Sequence, residues 1–387
     1  MSDHRDKTGK PTQRQVLAGD EELALKLAAA LSAEQLDDRV THGFHAYPAG
    51  LHPDAARDLL ACFPGDSLLD PFCGGGTILV EGRLAGRTTF GCDLSSVALR
   101  VSRARTATPT DEQLTAFRSA ARRMTEKART DQIDAPREVY EAVKDWYAPY
   151  AIRELATLRE EIAEVEDLEV RRQLEAVFSS ILIKVSWRRS DTSNQRVKHD
   201  RRPGSTAVLF HKKVRELARR QLALREAMLE DVPPTKLKLS DARQVRVQQP
   251  VDLVMTSPPY PAVYDYLPLQ HLRGIWLGIA RGEDPAREIG ARRQWRGGAR
   301  RARRQWTADT AAWMLASAQT LRPGGHLVVI VGDGLTPTGT VDTLGASMQA
   351  AKAADLEFVA RASLLRPDHA RQSVRWEHAL AWRRPAS

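Results

Sequence analysis

Short apolar runs that end in Gly- or Asp-containing turns alternate with helical stripes at both ends of the chain, and the alternation stops in the middle. Ser67-Leu68-Leu69-Asp70 and Thr88 to Asp93 read as strands, with a helix from Ile78 to Leu84 between them, which makes one βαβ unit. Lys238 to Asp241, Val251 to Thr256, His326 to Val331, Leu356 to Leu365 and His378 to Trp382 predict five more strands. Strands alternating with helices predict an α/β fold with a parallel, doubly wound sheet, and the last two runs suit an antiparallel hairpin at its edge.

From Pro109 to Lys236 the strand rhythm gives way to helical periodicity. Ile152, Leu155, Leu158, Ile162 and Val165 share one helix face, and Leu174, Val177, Phe178, Ile181, Leu182 and Val185 outline another; both stripes read as core. A helix over Glu21 to Leu36, with Leu23, Leu25, Leu27, Leu31 and Leu36, is expected to pack on the main body. The expected division is a disordered lead over 1–20, a main domain over 21–106 and 238–387, and a helical insertion over 107–237 as candidate target-recognition region.

Composition narrows the class. Of 387 residues, 42% are hydrophobic and 28% charged, as in a soluble globular protein, and no run approaches the roughly 18 to 20 apolar residues of a membrane span. No apolar core follows the N-terminal charges, so no secretory signal is expected. Cys62, Cys73 and Cys92 lack the paired spacing of a zinc site or a disulfide framework, so no metal is implied and a reducing cytoplasm fits. The net charge of +9 favours a polyanionic partner.

Asp70-Pro71-Phe72-Cys73-Gly74-Gly75-Gly76-Thr77 follows a predicted strand and opens a predicted helix. Its glycines let the backbone approach a ligand, and helix N-terminal amides lie open to it. The acid ahead of the glycines would repel a pyrophosphate and suits a cationic ligand, which argues against a nicotinamide dehydrogenase with its G-x-G-x-x-G turn. Asp93, ending the second strand, is placed to accept from two ribose hydroxyls, and Asp241, ending the third, from an adenine amino group; each could instead cap a helix. Val251 to Thr256 runs into Ser257-Pro258-Pro259-Tyr260, a rigid extended turn whose prolines donate nothing. Ser257 Oγ and the Pro258 carbonyl can hold a poorly nucleophilic base amine between acceptors, and Tyr260 offers a ring on which an extruded base can stack.

DPFCGGGT and TSPPY together resemble the amino-methylating nucleic-acid methyltransferases, whose pattern is a DPF-x-G-x-G-T cofactor turn plus an (S/N/D)PP(Y/F) catalytic turn. The resemblance implies a Rossmann-like seven-stranded methyltransferase sheet with the last strand antiparallel, and S-adenosyl-L-methionine as cofactor. It assigns Asp70, Pro71, Phe72, Gly74, Gly76 and Thr77 to the cofactor and Ser257, Pro258, Pro259 and Tyr260 to catalysis. The serine form of the turn goes most often with cytosine N4, and Asp or Asn in its place with adenine N6 or guanine N2. His42-Gly43-Phe44-His45-Ala46-Tyr47-Pro48-Ala49 looks like the family segment that closes over the methionine part of the cofactor, which adds Tyr47; Gly50 departs from the Lys or Arg usual there. Tyr264-Asp265-Tyr266-Leu267 and Trp276-Leu277-Gly278 are similar to a subgroup of bacterial DNA methylases, and Leu321 to Gly325 to the turn before the fifth strand of methyltransferases. Cys73 sits in the cofactor turn, so it reads as packing rather than as the nucleophile of cytosine C5 enzymes.

Two basic segments are candidates for nucleic-acid contact: Arg188, Arg189, Arg196, Lys198, Arg201 and Arg202 beside Trp187, and Arg292 to Arg304 with Trp295 and Trp306, where Arg300, Arg301, Arg303 and Arg304 lead. The expected partner is DNA, with a restriction endonuclease left open as a companion. RNA is the alternative, through a guanosine N2 enzyme, but such proteins place N or D before PPYG and carry an N-terminal RNA-binding domain. A catalytically silent binding module is the other alternative, against which Asp70, Asp93 and SPPY stand.

Overall fold

The computed structural model describes residues 14–33, 38–45, 47–48, 50–190, 193–199, 201–279, 285–336, 339–368 and 373–386. Its strands are β1 (Gln15–Gly19), β2 (Ser67–Asp70), β3 (Thr88–Asp93), β4 (Arg188–Ser190), β5 (Ser193–Arg196), β6 (Lys236–Leu239), β7 (Val251–Thr256), β8 (Leu321–Gly332), β9 (Gly334–Thr336), β10 (Gly339–Val341), β11 (Glu357–Asp368) and β12 (Ser373–Arg383). Its helices are α1 (Glu21–Leu31), α2 (Pro53–Ala61), α3 (Thr77–Leu84), α4 (Ser96–Thr106), α5 (Asp111–Thr130), α6 (Arg137–Val143), α7 (Pro149–Ala163), α8 (Leu168–Val185), α9 (Ser205–Ala227), α10 (Tyr266–Leu269), α11 (His271–Leu277), α12 (Ala299–Thr320) and α13 (Thr343–Ala353).

Eight strands form the central sheet in the order β1-β11-β12-β8-β7-β2-β3-β6. β6, β3, β2, β7 and β8 run parallel, and β12 runs against both β8 and β11. The seven strands and the reversed last strand are thus as expected. The eighth corrects the expected lead: Gln15 to Gly19 pair antiparallel with Leu364 to Ala360. They cover backbone groups that would otherwise leave β11 as an open edge. The third strand lies two residues earlier than read, because Leu239 pairs with Asp93 and the chain then turns at Asp241.

Alternation along the buried strands feeds two cores. Leu68, Leu253, Met255, Val328 and Ile330 face α1 and α2, while Leu69, Val254, Leu327 and Val329 face α12 and α13. In α1, Leu27 and Leu31 are buried but Leu25 lies on the outer face, 50% exposed, and Leu36 is outside the described residues. Helices α5 to α9 gather a third cluster in which both predicted stripes are buried, with Val165 partly so. Trp276 of α11 is fully buried in it, edge-on to Tyr147 and Phe178 at 6.0 and 6.2 Å. That ring ties the segment after SPPY to the inserted helices. Trp276→Ala should lower stability by about 3 to 5 kcal/mol, the usual loss for a buried tryptophan, in a urea titration; a loss below about 1 kcal/mol would mean that the cluster closes without α11.

Candidate active site

β2 and β7 pair in parallel, so Asp70 and Thr256 end side by side at the carboxyl edge, where ligands bind in such sheets. Thr256 Oγ1 donates to Asp70 Oδ1 at 2.7 Å, and the Phe72 amide donates to the same oxygen at 3.1 Å. Asp70 is 2% exposed and no basic side chain bonds it among the described residues; burial raises its carboxyl to about 7 despite both bonds, and the charge of Asp93 adds to the rise. The glycine turn is built by close contact. Gly74 and Gly76 have φ of +46° and +80°, and a Cβ at Gly76 would stand 2.9 Å from Ser102 Oγ. At Gly75 it would meet Arg105 Nη1 at 2.9 Å and Tyr47 Cβ at 3.2 Å.

A cavity of about 930 Å³, counted out to open solvent, lies over this turn. Tyr47, Asp70, Pro71, Phe72, Gly74, Thr77, Asp93 and Asp241 all line it; Gly76 does not, and serves the turn instead. Asp93 accepts from the amides of Gly74 at 2.9 Å and Ser95 at 2.8 Å, which orient the carboxylate and use part of its acceptor capacity. Phe72 is edge-on to Trp313 at 5.3 Å. Asp241 departs from expectation. It caps the 3-10 turn Ala242–Gln244 and holds the Arg243 side chain at 2.6 and 3.0 Å, with Arg287 at 3.3 Å. Burial would raise its carboxyl, but these arginines outweigh that and hold it below the ordinary value. An adenine contact there would compete with both. A buried carboxylate lacking a counter-cation, a second oriented acid and aromatic walls fit a ligand with a positive charge and hydroxyl groups, as S-adenosylmethionine has.

A second cavity of about 890 Å³, counted likewise, lies across the catalytic turn. Ser257, Gly50, Leu51 and Tyr266 border both cavities; Pro259 lines the first, and Pro258 and Tyr260 the second. Tyr260 differs from the open stacking face expected, because the Arg375 guanidinium lies over its ring at 5.2 Å and its hydroxyl donates to Glu377 at 2.8 Å. Tyr264 and Tyr266, 5.5 Å apart, add two more rings to this wall. Cys73 is buried against Leu79 and Leu99 and burial pushes its thiol well above the ordinary value, so it packs rather than attacks.

The basic segments divide. Arg188 is a correction: it is 5% exposed and spends its guanidinium on the carbonyls of Ser193 and Leu269, so it braces the fold. Arg189, Arg196, Lys198, Arg201 and Arg202 are exposed, with Arg196 and Lys198 over Trp187 at 5.2 and 5.1 Å; Asn194 and residues 191–192 of this stretch have no described side chains. Arg300, Arg301, Arg303 and Arg304 are exposed on the first turns of α12, but Trp295 and Trp306 are core residues, 8% and 5% exposed, and cannot stack on bases.

Sequence reasoning missed four residues. Arg105, buried in α4, donates to the carbonyls of Phe44, His45 and Gly75 at 2.8 to 3.0 Å and so locks the Tyr47 segment to the glycine turn. Residues 46 and 49 of that segment lie outside the described residues. Arg366, Arg375 and Glu377 line the second cavity from β11 and β12.

Residues 45–162 match the family described as an RMKL-like methyltransferase domain. The type II methyltransferase M.MvaI of Kocuria varians is 35% identical over 72 residues, 17% of this chain and 16% of that protein. Among solved structures, TrmN from Thermus thermophilus is 11% identical, with 87% of this chain and 50% of that one covered and a TM-score of 0.36. The rRNA methyltransferase aviRa from Streptomyces viridochromogenes is 14% identical, with 93% and 92% covered and a TM-score of 0.32. The chain thus spans about a sixth of the curated relative it matches and half of TrmN. The family match and the cavity support an S-adenosylmethionine-dependent methyltransferase and imply S-adenosylmethionine as its cofactor. No described helix is long and apolar enough to cross a membrane.

Asp70 makes this cavity sensitive to pH. Its carboxyl titrates near 7 in the folded chain and near 3.9 unfolded, so the folded state holds the extra proton between those values and stability falls as pH rises through them. Asp70→Asn keeps an acceptor for Thr256 and Phe72 without the charge. It should raise the unfolding free energy of the ligand-free protein above pH 7, by about 4 kcal/mol at most, and so raise its denaturation midpoint there, and change nothing below about pH 4. It should also weaken S-adenosylmethionine in calorimetry; equal midpoints at all pH values would remove the strain assigned to Asp70.

Proposed function

We propose that this protein transfers a methyl group from S-adenosylmethionine to an exocyclic amino group of a nucleic-acid base, with cytosine N4 in DNA as the leading target. The observation that carries this reading is the place of Ser257, on the wall common to both cavities. A donor in one and an acceptor in the other would meet along this wall, where Ser257 is the shared side chain with a small hydroxyl acceptor, beside Gly50, Leu51 and Tyr266. When bound, the cofactor supplies an electrophilic methyl group on a sulfonium centre. Ser257 Oγ and the Pro258 carbonyl accept the amino hydrogens, which draws the nitrogen toward tetrahedral geometry and frees its lone pair for in-line attack. As the nitrogen–methyl bond formed, the sulfur–methyl bond would break with S-adenosylhomocysteine as the leaving group, and the surplus proton on nitrogen would pass to solvent. Catalysis on this reading is positioning and desolvation, without a covalent base adduct.

The SPPY form of the turn favours cytosine N4 over adenine N6. For the partner, the exposed arginines of α12 and the β4–β5 ribbon supply phosphate contacts on a chain of charge +9. Incubation with labelled cofactor and either DNA or RNA, followed by mass spectrometry of the nucleosides, tests the class directly. N4-methylcytidine in RNA alone, or N6-methyladenine in DNA, would each displace the leading target, and no product with either would remove the reading. Ser257→Ala should slow single-turnover methylation about ten- to a hundredfold, the loss of one or two hydrogen bonds' worth of barrier, while S-adenosylhomocysteine affinity holds.

A further inference from the structure

Tyr260 is held from three sides by residues far from it in sequence. Its hydroxyl donates to Glu377 Oε1 at 2.8 Å, the Arg375 guanidinium covers its ring at 5.2 Å, and a Cβ at Gly332 would stand 2.6 Å from its Cε2. Glu377 and Gly332 are directly paired across β12 and β8, so two adjacent strand positions grip one ring. Glu377 is itself fixed, with its second oxygen 2.8 Å from Arg366 Nε. Arg366 and Arg375 are opposite one another across β11 and β12, a like-charge pairing that destabilises a ribbon unless an acid stands between them. Burial and the Glu377 charge keep the phenol protonated at neutral pH, so it is the donor in that bond.

We infer that Glu377 is a positioning residue for methyl transfer, which holds Tyr260 against Gly332 and Arg375 so that the acceptor cavity has its shape beside Ser257 before a base arrives. The inference rests on the proposed reading of that cavity. A wall fixed in advance does not have to be ordered when the base binds, and side-chain ordering is a large share of the cost of association. Glu377 touches neither reacting group on this view; it acts through Tyr260.

The test is a double-mutant cycle read in single-turnover kinetics. Tyr260→Phe and Glu377→Ala each remove the same hydrogen bond, so each should raise the KM for nucleic acid about tenfold, with S-adenosylhomocysteine affinity unmoved. Glu377→Gln keeps an acceptor for the phenol and should recover most of the loss. In the Tyr260→Phe background, Glu377→Ala should add less than about twofold, because the bond is already gone. Additive losses would overturn the inference, and so would an unaltered KM in Tyr260→Phe, which decides the matter should Glu377→Ala fail to fold. Gly332→Ala, with Glu377 intact, should reproduce the defect by pushing the ring. Ser257→Ala separates the two readings: normal rates in that variant would remove the proposed function, whereas a defect confined to it would remove only the role of Glu377.

Discussion

The 2.7 Å hydrogen bond from Thr256 to Asp70 joins residues 186 positions apart, and both turns of the candidate site hang from it. Parallel pairing of β2 with β7 brings the two strand ends together but leaves a threonine hydroxyl and a carboxyl group almost wholly buried. Each needs a partner, and each is the other's. In that low-dielectric setting the bond is stronger than it would be at the surface, and it fixes the glycine turn and the Pro-Pro turn relative to one another. The two cavities that share Ser257 follow from this one alignment.

Besides α11, the inserted helices meet the site through the segment ahead of the glycine turn. Phe44 is buried in their core, His45 reaches Ser179 of α8 at 2.9 Å, and Tyr47, two residues on, lies against Gly74 and Gly75. Arg105 clamps both sides of this junction, and burial lowers its guanidinium to about 10, a sign that its charge is offset only by carbonyl dipoles. The helices proposed for target recognition are thus joined, through Phe44, His45 and Arg105, to the turn that walls the first cavity.

The parts of this architecture written in local chemistry were legible in the sequence. Glycines with positive φ, consecutive prolines and period-2 apolar runs have the same consequences wherever they fold, so the sheet, the two turns and Asp70 could be placed from residues alone. The fate of a charged or aromatic side chain depends on partners that the local pattern does not name. Arg188 and Arg189 look alike as letters, yet neighbours in a strand point to opposite sides, and one guanidinium went inward to carbonyls while the other stayed out. Trp306 did carry a signal that the basic residues around it masked: Ala302, Trp306 and Trp313 fall at helical spacing and line the buried face of α12. Glu377 carried none, because its meaning comes from Tyr260, 117 positions away.

The charges around the two cavities differ in sign, and the neutral Ser257 turn stands between them. Asp70, Asp93, Asp241 and Glu288 border the first, where Arg287 is tied to Asp241, whereas Arg366 and Arg375 with one acid, Glu377, border the second. On the proposed reading, a cationic donor and a polyanionic acceptor would be sorted by sign before close contact forms. A carboxylate in place of Ser257 would sit near Asp70, whose own ionisation is already displaced to about 7 by burial and by Asp93. Each added acid there would make the others harder to ionise. On the proposed reading a hydroxyl avoids that cost: it accepts from an amine without adding charge, and so leaves the ionisation of Asp70 where burial and Asp93 set it.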